Sequence, residues 1–403
     1  MSNIYSAIKI SDHVYWVGAI DWTIRDFHGY TTPHGSTYNA YLIMAEEVTL
    51  VDTVKAPFKD EMLGRIKSVV DPAQIKYIIS NHAEMDHCGC LPEVIDLIKP
   101  KKVFASAVGV KTLKEILHHR YDISPVKDGE SLSLGNMELT FMETRMIHWP
   151  DSMFTYLSTD QLLFSQDAFG MHLATLERFA DEIPAATLEY EAATYYANIV
   201  LPYSPIVLRA LEKVTAKGWK INIIAPDHGP VWRKDLGKIL ELYSKWAGQK
   251  PTAKAVVVYA TMWHSTEKMA CAIAEALAGA GIKVKLMSMN EAHRSEVVYE
   301  VLNAGALIVG SSTLNNNILP QMADVMTYLK GLKPANLIGA AFGSYGWSGE
   351  SVKDLEAILK EMKVEIAAAA VSVKHVPDES ILEKCSELGR TIAAVLLTKT
   401  SSN

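Results

Sequence analysis

The pattern of hydrophobic and polar positions changes near residue 250. Before that point, short strand-like apolar runs are joined by irregular stretches rich in His, Pro and aromatic residues. These runs cover residues 14–17, 39–44, 49–52 and 77–80. After it, apolar runs alternate regularly with segments of helical period. The change predicts two domains, residues 1–250 and 251–403, joined by a short linker at 246–252.

The later half of the chain is predicted to form a doubly wound parallel sheet. Its strands are predicted at 254–260, 283–289, 306–310, 337–342 and 366–373. Its helices are predicted at 266–280, 295–304, 320–330, 351–362 and 380–397. Runs such as 256–259 are almost continuously apolar, as expected for strands that are buried on both faces. The regular alternation of strands and helices favours a flavodoxin-like α/β layout.

Composition and charge exclude several classes of protein. With 49% hydrophobic and 21% charged residues among 403, the chain has the composition of ordinary globular domains. The net charge of -7 argues against a nucleic-acid binder and against a protein that binds anionic membranes. No apolar run approaches the roughly 18 residues of a membrane helix, and the first residues do not resemble a signal peptide. We therefore expect a cytoplasmic protein with no nucleic-acid or membrane partner.

The four cysteines restrict the kind of metal site that the chain can form. They are Cys88, Cys90, Cys271 and Cys385, and no two of them make the Cys-x-x-Cys pair of a rubredoxin-type iron or zinc site. We expect no rubredoxin to be fused to this chain. Any metal must be bound by His, Asp and Glu.

The strongest chemical signal directly follows the run at 77–80. His82, Glu84, Asp86 and His87 occur within six residues, and buried side chains of this kind need a cation or charged partners. Three further apolar segments end in similar donors, which are His148, Asp167 and the pair Asp227 and His228. A donor set that mixes imidazoles with several carboxylates suits iron or manganese, although the spacing alone leaves zinc open.

Three segments rich in hydroxyl, amide and glycine groups follow predicted strands, at 260–266, 310–317 and 341–349. Ligands of open α/β sheets bind beyond the carboxyl ends of the strands, where these segments meet. Hydroxyl groups at the start of a helix are typical of a phosphate site, and Tyr345 or Trp347 can stack on a planar ring. No Gly-x-Gly-x-x-Gly follows a strand, which argues against a nicotinamide site.

Together these motifs resemble the flavodiiron proteins, the A-type flavoproteins that include rubredoxin:oxygen oxidoreductases and nitric oxide reductases. The run His-x-Glu-x-Asp-His at 82–87 resembles the metallo-β-lactamase motif, except that Glu84 stands where zinc hydrolases have a second histidine. The resemblance covers essentially the whole chain and includes residues 21–30 and 195–198. It implies an N-terminal metallo-β-lactamase-like αββα sandwich and a C-terminal flavodoxin-like domain.

The resemblance also implies the residues of both cofactor sites. One iron would be bound by His82, Glu84 and His148, the other by Asp86, His87 and His228, with Asp167 bridging. In some family members the histidine that matches His87 is turned away and water replaces it, so both states stay open. His28 and Tyr195 are nominated as catalytic groups, with simple packing as the equally open interpretation. The residues implied for FMN are Thr261, Met262, Trp263, His264, Ser265, Thr266, Ser312, Thr313, Leu314, Asn315, Asn316, Ala341, Phe342, Gly343, Ser344, Tyr345, Gly346 and Trp347.

The implied activity is the reduction of O2 to water, of NO to N2O, or of both. Electrons would pass through FMN from rubredoxin or from reduced F420, and two ferrous ions with one reduced FMN hold the four electrons that O2 requires. Family members form a head-to-tail homodimer or a dimer of dimers, and we expect the same here. Two alternatives stay open, a metallo-β-lactamase-type hydrolase with an appended flavodoxin domain and a non-catalytic redox sensor.

Overall fold

The computed structural model describes residues 4–401 and divides into two compact units. The first comprises the chain up to residue 27 together with 32–195 and 205–244. The second comprises residues 28–31, 196–204 and the chain from 245 onward. The domain limits 1–250 and 251–403 stay a prediction. Within the described residues, no helix is both long and apolar enough to span a membrane.

The early strands form a seven-stranded sheet in the first unit, with the order β1-β2-β7-β8-β9-β10-β11. The strands from β8 to β11 are parallel, and the earlier ones pair antiparallel. The strands of this sheet are β1 (Ile8–Lys9), β2 (Val14–Trp16), β7 (Tyr41–Ile43), β8 (Thr49–Val51), β9 (Tyr77–Ser80), β10 (Lys102–Ser106) and β11 (Ile123–Val126). The short strands β3 (Ala19–Asp21), β4 (Asp26–Phe27), β5 (Tyr30–Thr31) and β6 (Ser36–Tyr38) lie outside it, and β3 pairs with β6.

A second, five-stranded sheet completes the first unit. Its strands lie in chain order, antiparallel except for the last, parallel pair. They are β12 (Ser131–Ser133), β13 (Glu138–Glu143), β14 (Met153–Leu157), β15 (Leu162–Gln166) and β16 (Ile223–Pro226). The α-helices that precede residue 250 are α1 (Lys59–Lys67), α2 (Met85–Cys88), α3 (Leu91–Ile98), α4 (Ala107–Ile116), α5 (Ala185–Tyr195), α6 (Ser204–Ala216) and α7 (Leu236–Gly248).

The two sheets pack face to face, with helices on their outer sides. Ile79 of β9 contributes with Phe164 of β15 to the core between the sheets. Its neighbour Ile78 points the other way and packs with Ile66 of α1 and Val94 of α3, because successive strand residues face opposite sides. On the outer side of the second sheet, α6 and α7 line a cavity with residues of β14 and β15. The predicted αββα sandwich is therefore confirmed.

The second unit is a parallel sheet covered by helices, with the strand order β18-β17-β19-β21-β22. This is the order of flavodoxin-like folds, and it confirms the predicted class. Its strands are β17 (Lys254–Ala260), β18 (Lys283–Ser288), β19 (Ala306–Leu314), β20 (Asn317–Ile318), β21 (Ile338–Tyr345), β22 (Glu365–Ile366) and β23 (Val371–Lys374). Its helices are α8 (Ser265–Gly279), α9 (Arg294–Leu302), α10 (Pro320–Leu332), α11 (Glu350–Glu361) and α12 (Glu379–Ser401).

The prediction of one continuous strand at 366–373 is wrong. The segment is split into β22 and β23, which pair with the two ends of β21. Gly339 pairs with Ile366 and Phe342 pairs with Val371, so residues 367–370 face only two residues of β21. These four residues are all alanine, which contributes little to cross-strand packing, and the surplus residues leave the ladder.

Candidate metal centre and flavin site

Seven buried donor side chains come together at the carboxyl ends of strands from both sheets of the first unit. His82 and Glu84 follow β9, and Asp86 and His87 lie in the short helix α2 that comes next. The other three follow separate strands of the second sheet, with His148 after β13, Asp167 after β15 and His228 after β16. These strand ends bring together donors that are far apart in sequence.

The donors divide into two groups that could each hold one ion. His82, Glu84, His148 and Asp167 form one group, and Asp86, His87 and His228 form the other. In each group the ligand atoms lie within 4.8 Å of one another. The division matches the two ligand sets that the family resemblance implies, except that it places Asp167, the implied bridge, in the first group alone.

Asp167 faces both groups with different oxygens. Its Oδ2 lies 2.9 Å from Nε2 of His148 and 3.3 Å from Nε2 of His82. Its Oδ1 lies 3.2 Å from Nε2 of His87 and 3.3 Å from Nε2 of His228. A carboxylate whose two oxygens face different groups of ligands is arranged as a bridging ligand would be. The same distances show that His87 is turned into the site and not away from it.

The electrostatics of the cluster fit a cation. Both oxygens of Asp86, Oδ1 of Asp167 and Nε2 of His87 are buried, and although imidazoles and carboxylates approach to 3.2 Å, none of these atoms makes a hydrogen bond of acceptable geometry with the described residues. Buried polar atoms are rarely left in this state, and a metal ion would satisfy them. The residues present therefore fit a dinuclear centre.

In the metal-free cluster, the proposed imidazole and carboxylate ligands shift each other's pKa values. Burial lowers the pKa of His82, but the nearby carboxylates of Asp151 and Glu84 outweigh it and the pKa lies well above its ordinary value. Burial raises the pKa of Asp167, but His87 and His148 outweigh it and hold the pKa well below its ordinary value. In the absence of metal, protons on the imidazoles take the place of the cations, so metal binding must release protons.

The flavin-binding segments meet at the carboxyl ends of β17, β19 and β21 in the second unit. The hydroxyl of Thr266, in the first turn of α8, lies 3.0 Å from the hydroxyls of both Ser312 and Ser344. In the turn before α8, Oγ1 of Thr261 is buried and lacks a hydrogen-bond partner within residues 4–401. Hydroxyl groups and free amides at a helix start fit the phosphate of FMN.

The other predicted FMN residues differ in how far they reach the loop cluster. Thr313, Asn315, Asn316, Gly346 and Trp347 line one small cavity between the loops. The side chains of Trp263 and Trp347 are each 86% exposed, and Met262 is also exposed. In contrast, Ala341, Phe342 and Gly343 are fully buried within β21, and the ring of Phe342 belongs to the core between sheet and helices. The structure does not bring that ring to the loop cluster.

Comparison with known proteins agrees with both sites. Residues 37–229 match the model of the ODP family beta lactamases, and residues 257–389 match flavodoxin. The chain is 47% identical to a rubredoxin-oxygen oxidoreductase of Megalodesulfovibrio gigas, over 98% of this chain and 99% of that protein. It is 46% identical to a nitric oxide reductase of Moorella thermoacetica, over 96% and 98%. The crystal structure of the flavodiiron protein from Giardia intestinalis superposes with a TM-score of 0.94 at 32% identity, over 98% of both chains.

This chain belongs to the flavodiiron protein family. The flavodoxin match and the buried donor cluster confirm the predicted cofactors, FMN and a non-haem diiron centre. The assignment of individual residues to these cofactors stays a prediction, which the geometry above supports.

Outer partners fix the orientation of the histidine ligands in this flavodiiron protein. Oδ2 of Asp151 accepts a hydrogen bond from the Ala83 amide at 2.6 Å and lies 3.5 Å from Nδ1 of His82. Nδ1 of His228 lies 2.6 Å from the carbonyl oxygen of Thr37. Contacts of this kind direct Nε2 towards the metal. Sequence reasoning gave Asp151 no role, although its position three residues after His148 was a signal.

The two nominated catalytic residues lie in different places. Tyr195, at the end of α5, is buried, and the centre of its ring lies 6.1 Å from that of His228. His28 is exposed in the segment 28–31, which belongs to the second unit. His172, to which the sequence analysis gave no role, is buried with its ring centre 4.5 Å from that of His228, and its Nδ1 hydrogen-bonds with the hydroxyl of Ser36. Catalytic roles for His28 and Tyr195 stay predictions.

Proposed function

We propose that this flavodiiron protein reduces O2 to water and NO to N2O, at a diiron centre bound by His82, Glu84, Asp86, His87, His148, Asp167 and His228. The observation that carries the proposal is that the two carboxylate oxygens of Asp167 face different groups of ligands. Its Oδ2 faces His148 and its Oδ1 faces His87, which supports a single residue that serves both metal positions. Two adjacent ions can act on a single small molecule.

The cofactors and the protein contribute different parts of the chemistry. When bound, two ferrous ions and one reduced FMN supply the four electrons that convert O2 to two waters. The protein holds the ligands in a buried pocket, which keeps bulk water away from the reacting gas. Beside His228, the buried Tyr195 and His172 are placed to orient and donate protons on this side of the site.

The names of two relatives support the choice of substrates and of electron donor. One relative is a rubredoxin-oxygen oxidoreductase and the other is a nitric oxide reductase, and each matches almost the whole chain. We therefore propose that both gases are substrates and that reduced rubredoxin is the carrier. A reduced deazaflavin such as F420 is the alternative donor.

The first experiment is the metal and flavin content of the anaerobically purified protein, followed by uptake of O2 and NO with reduced rubredoxin. Two irons and one FMN per chain with rapid uptake are expected. Bound zinc without gas uptake would overturn the proposal and favour a metallohydrolase.

A Glu84→Ala variant tests the metal site directly. Removal of this carboxylate leaves the first ion with fewer ligands, so we expect loss of about one iron per chain and at least a hundredfold lower O2 uptake. FMN content should be unchanged, because the flavin loops are formed by other strands. Glu138→Ala, which removes an exposed carboxylate from β13, is the matched control. Wild-type iron content and turnover in the Glu84 variant would contradict the assignment.

A further inference from the structure

An apolar cavity of about 100 Å³ lies in the first unit, between the second sheet and the helices α6 and α7. Fourteen residues line it, and thirteen of them have purely hydrocarbon side chains. The exception is Tyr243, whose hydroxyl oxygen accepts a hydrogen bond of 2.7 Å from the amide of Phe169. That group is therefore engaged with the backbone. The cavity offers no set of polar partners that would hold ordered water.

The inner wall of the cavity consists of residues adjacent to metal ligands. Ile147 directly precedes His148, and Ala168 directly follows Asp167. Both are 2% exposed, and both belong to the loops that hold these ligands. The side-chain amide of Gln166 donates a hydrogen bond to the carbonyl of Ile147, which ties the two loops together. The apolar space thus ends at the backbone that carries His148 and Asp167.

The outer end of the cavity lies among partly exposed residues. Leu240 of α7 is 37% exposed, and Leu236 and Leu211 are half-buried. Exposure of the lining therefore rises from the metal loops towards α7. This end of the cavity therefore lies near the surface, and all three of these residues are apolar.

We propose that this cavity binds the diatomic substrate gas and holds it beside the metal centre. The proposal rests on the proposed function, because it takes O2 and NO as the molecules to be delivered. Both gases are small, uncharged and more soluble in apolar media than in water, so they partition into a dry hydrocarbon space. An apolar cavity of about 150 Å³ is known to stay dry and to bind xenon or benzene. The volume here suits a diatomic gas and is too small for an acyl chain.

Xenon is the probe for the first test, because it occupies dry apolar cavities and undergoes no chemistry at the metal. Xenon NMR or crystals pressurised with xenon should show a saturable site in the wild-type holoenzyme, between Phe154, Val207 and Tyr243. The result does not depend on activity. A wild-type holoenzyme with no xenon site there would overturn the proposal.

Two variants test delivery. Ala210→Phe on α6 fills the cavity, and Leu240→Trp narrows its rim at a position that tolerates bulk because it is exposed. Glu212→Phe, two residues beyond Ala210 on the exposed side of α6, is the matched control. We expect the first two to lose or slow xenon binding and to raise KM for O2 by about three- to tenfold with kcat at saturating gas unchanged. Iron and FMN contents should match wild type in all three.

The outcomes separate the two proposals. An unchanged KM in variants that have lost the xenon site would overturn delivery through the cavity, as would an equal rise in KM in Glu212→Phe. Absence of gas uptake by the iron-loaded and FMN-loaded wild type would overturn the proposed function and the delivery role with it. Normal uptake in a protein without a xenon site would overturn the cavity proposal alone.

Discussion

At the scale of single residues, the metal centre depends on charges that do not themselves bind iron. The carboxylate of Asp151 holds the Ala83 amide and stands behind the imidazole of His82. An anion in this position fixes the ring and raises the basicity of the ligand nitrogen. Control of iron affinity therefore extends beyond the seven ligands.

The Asp151→Asn variant tests this control. The amide can still accept a hydrogen bond from Ala83 but carries no charge, so we expect iron affinity to fall by about 10- to 100-fold. Competition with a chelator measures the change. Asp122→Asn, at an exposed position before β11, should behave as wild type. Equal chelator resistance of the Asp151 variant and wild type would contradict the role.

As pH rises, the thermal stability of the metal-free protein should fall, whereas the affinity of the protein for iron should rise. The pKa values of His82, His87 and His148 are raised in the folded protein, so their contribution to stability is complete below the unfolded pKa of about 6.5 and is lost as pH rises. Thermal unfolding of chelator-treated protein should therefore show a falling Tm from about pH 6.5 to 9. Iron binding should strengthen over the same range, because protons no longer compete. A metal-free Tm that rises with pH would contradict this account.

Site residues could be predicted from the sequence only where a local pattern along the chain marks them. Each of the seven proposed ligands comes after a strand or a short apolar run, and such a run followed by His, Asp or Glu can be recognised in the sequence alone. His172 has no such signal, because it reaches His228 only through the folding of a distant loop. The orientation of His87 was equally hidden, since it depends on a side-chain rotation.

At the scale of elements, close packing inside the flavodoxin-like sheet sets which residues are allowed. The ring of Phe342 on β21 covers Gly310 on the neighbouring β19. A Cβ added at Gly310 would lie 2.3 Å from the Phe342 ring. The end of β19 leads into the proposed flavin loop, so this contact fixes the position of the loop.

Gly310→Ala should destabilise the second unit. The added methyl forces the Phe342 ring out of place, and we expect a loss of about 1–3 kcal/mol in the free energy of unfolding, measured by denaturant titration. Gly331→Ala in α10 is the control, since nothing lies within 4 Å of its added Cβ and helix propensity should stabilise it by about 0.5–1 kcal/mol. The double variant Gly310→Ala with Phe342→Leu should recover part of the loss. Equal stability of both glycine variants would refute the packing argument.

Strands and helices could be predicted where the hydrophobic pattern of the sequence marks their limits. The strand at 254–260 has the predicted limits, because a continuous apolar run ends at polar residues on both sides. The last strand was predicted as one piece because apolar residues continue through 367–370. Its break arises from pairing with β21, which a pattern along a single strand cannot reveal.

At the scale of the whole molecule, each of the two compact units is formed by several separate segments of the chain. Residues 28–31 and 196–204 group with the second unit although the sequence around them belongs to the first. A linear boundary near residue 250 could not anticipate these segments, because composition changes only once along the chain.

The head-to-tail homodimer also belongs to this scale and stays a prediction from family resemblance. Light scattering during size-exclusion chromatography should give a mass of at least two chains, and specific O2 uptake should fall on dilution below the dimer dissociation constant. Iron and FMN contents measured at each dilution provide the control. A fully active monomer at assay concentration would refute the prediction.

The exposed indoles of Trp263 and Trp347 have an optical consequence. Both lie in the loops proposed for FMN, and tryptophan emission overlaps the near-ultraviolet absorption of an isoalloxazine. Light absorbed by these two indoles would pass to the bound flavin by resonance energy transfer and would not be emitted. Emission from these two of the eight tryptophans would thus report flavin occupancy, quenched when the loops are filled and restored when they are empty.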